Sequence, residues 1–460
     1  MASQRNTFTK TTRIPCPSDE LAMWHLRPGA LIRLTPGFEP VKILFQEGRI
    51  DEAETKRVLE TKIGPLRQKW TVIHSDYIHL RQFKDTQIEG PFREFVHTHR
   101  FLPDNEQFSL LQDQIEYRLP LSPISDWMIG KYIRNRIEKG FNYRHKITIA
   151  DLETHHRYPS TPLKIAMTGA TGLIGTQLSA FLTTGGHTVY RIVRRHPGPN
   201  DILWDPDKEK INPAELEGMD VVIHLAGESI GNGRWNEAKK KKIRSSRIIG
   251  TTFLANTLAQ LNKKPRVFIS ASAIGFYGNR ANEILTETQT ETATGFLPEV
   301  CREWEAAAWP AVEAGIRVVH PRTGIVLTPA GGALKSMLLP YRLGLGGLMG
   351  SGRQYMSWIT LDDLIYGIYH LVQTDTLSGP VNMTSPHPVQ QKEFNRVLGK
   401  VLSRPAFIPV PGWVLKLILG EMAEVLLLSS ARVLPGKLES SGFQFRYPDL
   451  ESGLRHILGK

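Results

Sequence analysis

Apolar and polar positions sort the chain into three zones. In the first, residues 13–152, apolar and polar side chains alternate over 30–34, 70–79, 93–101 and 114–119. A period of two puts all the apolar side chains on one face of a strand, so the pattern predicts a sheet with one buried face. A helical pattern follows over 123–138, and sheet and helix together predict an α+β unit. The polar segment 153–162 (ETHHRYPSTP) has two prolines and no period, and reads as a linker. In the second zone, 163–385, short apolar runs at 164–167, 188–193, 221–225, 267–270 and 317–321 are separated by helical stretches. Regular alternation of this kind predicts a doubly wound parallel sheet covered by helices, an α/β fold. The third zone, 404–460, is small, rich in leucine and proline, and reads as mainly helical. Its most apolar stretch, 413–428, is interrupted by Lys416, Glu421 and Glu424, which predicts one amphipathic packing helix and no membrane span.

Composition narrows the function classes. A 41% hydrophobic and 22% charged content is that of an ordinary globular chain and is too apolar for disorder. The two cysteines, Cys16 and Cys301, are far apart, which excludes a disulfide framework and a CxxC metal site and fits a reducing, cytoplasmic setting. The polar N-terminus has no apolar signal core. Adjacent His155 and His156 point apart on any regular element and have no third ligand nearby, so they read as surface residues, and no metal site is expected. The net charge of +12 raises the question of an acidic partner. Its densest run, 239–242 with Arg244 and Arg247, points all round a helix and reads as a solvated face, so no nucleic-acid partner is expected. A basic chain also attracts phosphorylated small molecules. Nothing in the pattern specifies an oligomeric state.

The segment 164–175, KIAMTGATGLIG, carries the chemistry. An apolar strand runs into Gly169, Gly172 and Gly175, and helical periodicity follows at once. The first glycine permits the tight turn, the second lets backbone approach a pyrophosphate, and the third lets helix and strand pack closely. The free amides at the helix start then face the phosphates. Gly169, Thr171, Gly172, Leu173, Ile174 and Gly175 are therefore candidate cofactor-binding residues. The next strand ends at Arg194 and Arg195, and no Asp or Glu occurs from 176 to 200. A carboxylate there would hold the 2′-hydroxyl of NAD(H), whereas two guanidiniums suit the 2′-phosphate of NADP(H), which is the expected cofactor. The alternative is that both arginines are merely solvated.

Five segments in the same order, TGATGLIG, DVVIHLAGE, FISASAIGFYG, RTGIVL and WITLDDL, resemble those of extended short-chain dehydrogenases/reductases of the NAD-dependent epimerase/dehydratase type. The WEAAA helix and the tail segments 404–422 and 433–448 resemble an atypical epimerase-like subfamily, and 99–121 resembles the later strands of a START-like helix-grip domain. The resemblance implies a START-like domain at 1–152, a linker at 153–162, a Rossmann domain at 163–403 and a small C-terminal domain at 404–460. It also implies that Asp205 lies near the adenine, that Leu225, Ala226 and Gly227 line the cofactor with Glu228 just beyond, and that Ser272 is the family's catalytic hydroxyl.

One part of the family pattern is absent. Ordinary members carry a Tyr-x-x-x-Lys pair one helical turn apart, but the corresponding positions of FLPEVCREWEAAA hold Leu297 and Cys301. Leucine moves no proton. Tyr277 is the nearest alternative acid or base, or else lines the site, and Cys301 is either a reactive thiol or an inert buried one. Asp362 and Asp363 open a helix and read as its cap, and the glycine-rich 344–352 reads as a mobile loop on the substrate side. The expected function is an NADP(H)-dependent oxidoreductase or epimerase acting on a small molecule, with Ser272 and Tyr277 as tentative catalytic residues. The alternative is a non-catalytic NADP(H)-sensing protein. The first zone is expected to enclose an apolar ligand between sheet and helix.

Overall fold

The computed structural model describes residues 5–460 apart from 40, 47, 49, 51, 53–54, 64–65, 123, 232 and 292. They form two compact units, one mainly Met1–Pro159 and the other mainly His187–Leu458 with Ser160–Ser179.

The first unit is a seven-stranded antiparallel sheet. Its strands are β1 (Asn6–Ile14), β2 (Lys42–Gln46), β3 (Lys56–Ile63), β4 (Leu66–Ile78), β5 (Gln82–Glu89), β6 (Glu94–Pro103) and β7 (Ser109–Arg118), in the order β1-β7-β6-β5-β4-β3-β2. Two short helices, α1 (Ser18–Leu26) and α2 (Ala30–Arg33), precede the long α3 (Ile124–Arg157). Along β7 every second residue is buried, the period-two pattern read from the sequence. Ile133, Ile137 and Phe141 of α3 pack on Phe8, Phe95, Ile115 and Tyr117.

Two expectations fail in this unit. Residues 30–33 are helical, not extended. Ala30 and Arg33 share one buried face three residues apart, and the Arg33 guanidinium grips Asp151 of α3 at 2.9 and 2.7 Å with both side chains fully buried. The helix expected over 123–138 continues to Arg157, so 153–157 is helix and not linker. Its two prolines, Pro159 and Pro162, lie beyond the helix end, and the basic residues of the last turn complement its carbonyl terminus.

The second unit is built on a mainly parallel sheet. Strand β8 (Lys164–Thr168) leads into α4 (Leu173–Thr184), followed by β9 (Thr188–Val193), β10 (Asp201–Asp205), β11 (Lys210–Ile211), β12 (Val221–His224), α5 (Glu237–Gln260) and β13 (Val267–Ser270). The spatial order is β11-β10-β9-β8-β12-β13, continued by Arg317–Thr323 and Gly379–Met383. The chain order reverses at β8, which makes the gap between the C-terminal ends of β8 and β12 the topological switch point of a Rossmann sheet. β9 and β13 coincide with the apolar runs 188–193 and 267–270.

Thr168 ties the two strands together at that point. Its hydroxyl oxygen accepts the N–H groups of Leu225 and Ala226 at 3.1 and 3.2 Å, so its own proton goes to Nδ1 of His224 at 2.7 Å. His224 is therefore needed neutral. Burial, with the nearby Arg247 charge, pushes its pKa down to about 4.

The C-terminal region departs from its pattern in three places. Gly420, at φ 65°, splits the helix expected over 413–428 into Gly412–Leu419 and Glu421–Leu426. The cap of helix Leu361–Gln373 is Thr360, whose hydroxyl accepts the Asp363 N–H. The carboxylates hold the tail instead: Asp362 pairs with His456 at 2.8 Å and Asp363 accepts the N–H groups of Arg446 and Tyr447. The glycine loop 344–352 is pinned by backbone bonds from Ile408 to Gly346 and from Val410 to Leu348, because Gly347 approaches the Ile408 carbonyl so closely that a Cβ would lie 1.6 Å from it.

Two outcomes test this frame. Between pH 6.5 and 4 the unfolded chain protonates His224 while the folded chain resists, so stability falls as the pH drops. Urea unfolding of His224→Asn at pH 7 and 4.5 is expected to show a pH-dependent loss smaller than that of the wild type by about 2 kcal/mol. A Cβ at Gly175 would lie 2.2 Å from the Gly169 carbonyl oxygen, whereas one at Gly172 meets only that oxygen, at 3.2 Å. Gly175→Ala is expected to cost about 1–3 kcal/mol in urea unfolding and Gly172→Ala under about 1 kcal/mol.

Candidate functional site

The turn after β8 is shaped by backbone contact. Gly169 sits at φ 68°, and a Cβ there would lie 2.8 Å from the Leu225 carbonyl carbon. Gly172 donates its N–H to the Gly169 carbonyl at 2.9 Å, and α4 begins at Leu173. Thr171, Gly172 and Leu173 are exposed and Ile174 is half-buried, so the amides of the first helical turn open at the switch point. A dianionic group suits them by both hydrogen bonding and helix dipole.

Arg194 and Arg195 follow β9 and are exposed, with no hydrogen bond or ion pair among the described residues. Arg191, within β9, is committed to Asp201 at 2.7 and 2.6 Å. Asp205 ends β10 two residues past the Val193–Leu203 pair and lies 3.5 Å from Lys208. Leu225, Ala226 and Gly227 leave β12 beside the turn, with the Arg247 guanidinium 3.4 Å from where a Gly227 Cβ would be. The Glu228 carboxylate takes Lys239 at 2.6 Å and Lys242 at 3.3 Å, which hold it below its ordinary pKa. Lys240 pairs with Glu421 at 2.5 Å, so much of the basic run is committed to carboxylates of its own unit.

Past β13 the chain enters a buried polar network. The Ser272 hydroxyl donates to Oε1 of Glu305 at 2.7 Å, and Arg322 holds the same carboxylate through Nε and Nη2, each at 2.8 Å. Nη1 of Arg322 donates to the Tyr277 hydroxyl at 3.1 Å. That hydroxyl lies 2.8 Å from Oδ1 of Asn382 and 3.1 Å from the Thr286 carbonyl, its two acceptors. The Arg322 guanidinium stacks 3.4 Å over the Phe276 ring. Tyr277 is 1% exposed, and burial raises its pKa despite the Arg322 charge. The Cys301 thiol lies under Gly275, and burial pushes its pKa up to about 12, which makes it an unreactive thiol near neutral pH. Leu297 is buried on the same helix, α6 (Phe296–Ala306).

The structure thus gathers Gly169–Gly175, Leu225–Gly227 and the ends of β9 and β10 on one edge of the sheet, and links Ser272 to Tyr277 through Glu305 and Arg322. Glu305 and Arg322 stand in the segments WEAAA and RTGIVL, and neither was expected in the site. Their one signal is a charge inside apolar stretches, in WEAAA and at the end of the run 317–321. A second polar cluster, Asp85, His97 and His99 in the first unit, was not foreseen, although His97-Thr98-His99 has the i, i+2 spacing that puts two imidazoles on one strand face.

Residues 165–383 match the model of the NAD dependent epimerase/dehydratase family, and 410–457 match a domain of unknown function, DUF1731. The epimerase family protein Mb2239 of Mycobacterium bovis is 40% identical over 291 residues, covering 63% of this chain and 96% of that protein. YfhF of Bacillus subtilis is 39% identical over 300 residues, covering 64% and 98%. Among solved structures, a nucleoside-diphosphate sugar epimerase from Corynebacterium glutamicum aligns over 98% of this chain and 90% of its own, with 35% identity and a TM-score of 0.80. The human epimerase family protein SDR39U1 (isoform 2), solved with NADPH, aligns over 64% of this chain and 98% of its own, with 33% identity and a TM-score of 0.60. No described helix is long and apolar enough to cross a membrane. On the order of its Rossmann strands, its glycine turn and these relatives, the chain belongs to the NAD dependent epimerase/dehydratase family.

Proposed function

We propose that this chain binds NADP(H) at the C-terminal edge of the parallel sheet and acts with it as an oxidoreductase or epimerase on a small molecule. The observation that carries the reading is the turn 169–175, where amides at a helix start stand open at the switch point and a Gly172 Cβ would meet only one backbone oxygen. The diphosphate would settle on the loop residues Gly169, Thr171, Gly172, Leu173, Ile174 and Gly175. The uncommitted Arg194 and Arg195 would hold a 2′-phosphate, which favours NADP(H) over NAD(H), and the NADPH of the human relative supports the choice. Asp205 would flank the adenine, and Leu225, Ala226, Gly227 and Glu228 the middle of the cofactor.

When bound, the nicotinamide supplies a hydride donor or acceptor. The chain's own part is to position the reacting oxygen. With its proton committed to Glu305, the Ser272 hydroxyl offers lone pairs to a substrate hydroxyl. Tyr277, bonded to Arg322 and Asn382, acts as a positioning residue that keeps Arg322 on Glu305, and water carries the proton. A second reading, a redox-silent NADP(H)-responsive protein, draws on Leu297 and Cys301. A leucine and a protonated thiol reproduce neither the proton transfer nor the positive charge of the usual pair.

Calorimetry on the purified chain is expected to show tighter binding of NADPH than of NADH. Replacing both arginines (Arg194→Ala with Arg195→Ala) should weaken NADPH about 10–100-fold, the range of lost charge-assisted hydrogen bonds, and leave NADH unchanged. Heat from neither dinucleotide sinks the reading. For catalysis, absorbance at the nicotinamide band is followed with carbonyl compounds and sugar nucleotides. Ser272→Ala is expected to lower kcat at least ~10²-fold while NADPH affinity holds. Tight NADPH binding with no turnover across the panel decides for the redox-silent reading.

A further inference from the structure

The sheet of the first unit lines a cavity of about 600 Å³, walled largely by apolar side chains such as Leu34, Val41, Leu59, Val72 and Ile115. One region of its wall is different. Strand register brings His74, Asp85 and His97 side by side, since Asp85 pairs with His74 across β4–β5 and with His97 across β5–β6. His99 lies two residues along on the same face of β6 and pairs with Asp113 of β7. All but Asp113 line the cavity.

Close polar contacts set these groups as a metal site requires, the His97 and His145 contacts to Asp113 being hydrogen bonds and the His99 contact an ion-pair distance. Asp113 takes Nε2 of His97 at 2.9 Å and Nδ1 of His99 at 2.8 Å, while its other oxygen takes His145 at 2.7 Å. That leaves the opposite ring nitrogens, Nδ1 of His97 and Nε2 of His99, 3.8 and 3.3 Å from Oδ2 of Asp85. The three ligand atoms lie within 4.8 Å of one another. Ligands about 2.0–2.1 Å from a tetrahedral zinc stand roughly 3.3 Å apart, and the two edges to Asp85, at 3.8 and 3.3 Å, are close to that spacing. A carboxylate behind the ligating histidines is the arrangement that fixes their tautomers and raises their basicity at metal centres. His74 stands behind the third ligand, with Nδ1 2.5 Å from Oδ1 of Asp85.

We propose that Asp85, His97 and His99 bind a divalent zinc-type ion, with a coordination position left open toward the cavity. Two nitrogens and one carboxylate oxygen with a free position form a donor set of the catalytic rather than the closed structural type. Arg57 and Arg144 line the same cavity, so an exogenous ligand reaching the ion would be an oxyanion on an apolar body. The proposal is independent of the nucleotide site and stands if that reading fails.

The test uses the full chain, stripped with a chelator and titrated with Zn²⁺ against a chromophoric competitor, and separately with Co²⁺ followed by visible absorption. One equivalent of tightly bound zinc is expected, with cobalt bands of a four- or five-coordinate N/O site. His97→Gln with His99→Gln should abolish both signals, and Asp113→Asn should weaken zinc about 10–100-fold, as for other partners behind metal ligands. Circular dichroism checks that each variant is folded. If the double variant is not, Asp85→Asn replaces it and must lose the same signals. A wild-type chain that binds no stoichiometric zinc, or zinc bound equally by the folded variants, overturns the proposal.

Discussion

Close approach of backbone to backbone at the turn between β8 and α4 governs the rest of the nucleotide-type site. The Gly169 carbonyl occupies the space a Gly175 side chain would need, so the helix starts directly against the strand it follows. That contact aims the unbonded amides of the first turn at the gap between β8 and β12. Thr168, held by His224, closes the same gap from below by accepting the N–H groups of Leu225 and Ala226. The apolar sheet beneath leaves these strand ends as the place where polar backbone remains available to a ligand.

The neighbouring network follows a different logic. Ser272, Glu305, Arg322, Tyr277 and Asn382 come from separate parts of the chain and are nearly all buried, yet each hydrogen-bonding group is matched. A buried ion pair of this kind adds little stability over apolar packing but costs much when one partner is removed, so it serves to hold a geometry. Here it fixes the direction of the Ser272 proton and seals the Tyr277 hydroxyl. The acid–base chemistry that a helix tyrosine and lysine give other family members is consequently not reproduced by Leu297 and Cys301.

Across the sheet of the first unit, the same period-two alternation that builds an apolar face also turns Asp85, His97, His99 and Asp113 inward. Charged groups are buried there only because they pair with one another. The START-like character of this unit remains a proposal, carried by the antiparallel sheet and the long α3.

By itself the sequence determined whatever depends on a few neighbouring residues. Strands of the parallel sheet are short apolar and β-branched runs, so 188–193 and 267–270 matched to the residue, and the glycine turn was legible because its three glycines lie within seven positions between strand and helix. Tertiary structure decided the rest. An Arg33–Asp151 pair spanning 118 positions turned an apparent strand into helix, and α3 ran through an apparent linker. Gly347 locked an apparent mobile loop against Ile408. The Ser272–Glu305–Arg322 network and the Asp85–His97–His99 cluster exist only through pairing between distant segments. Register and burial set those pairings, and neither leaves a mark in local spacing.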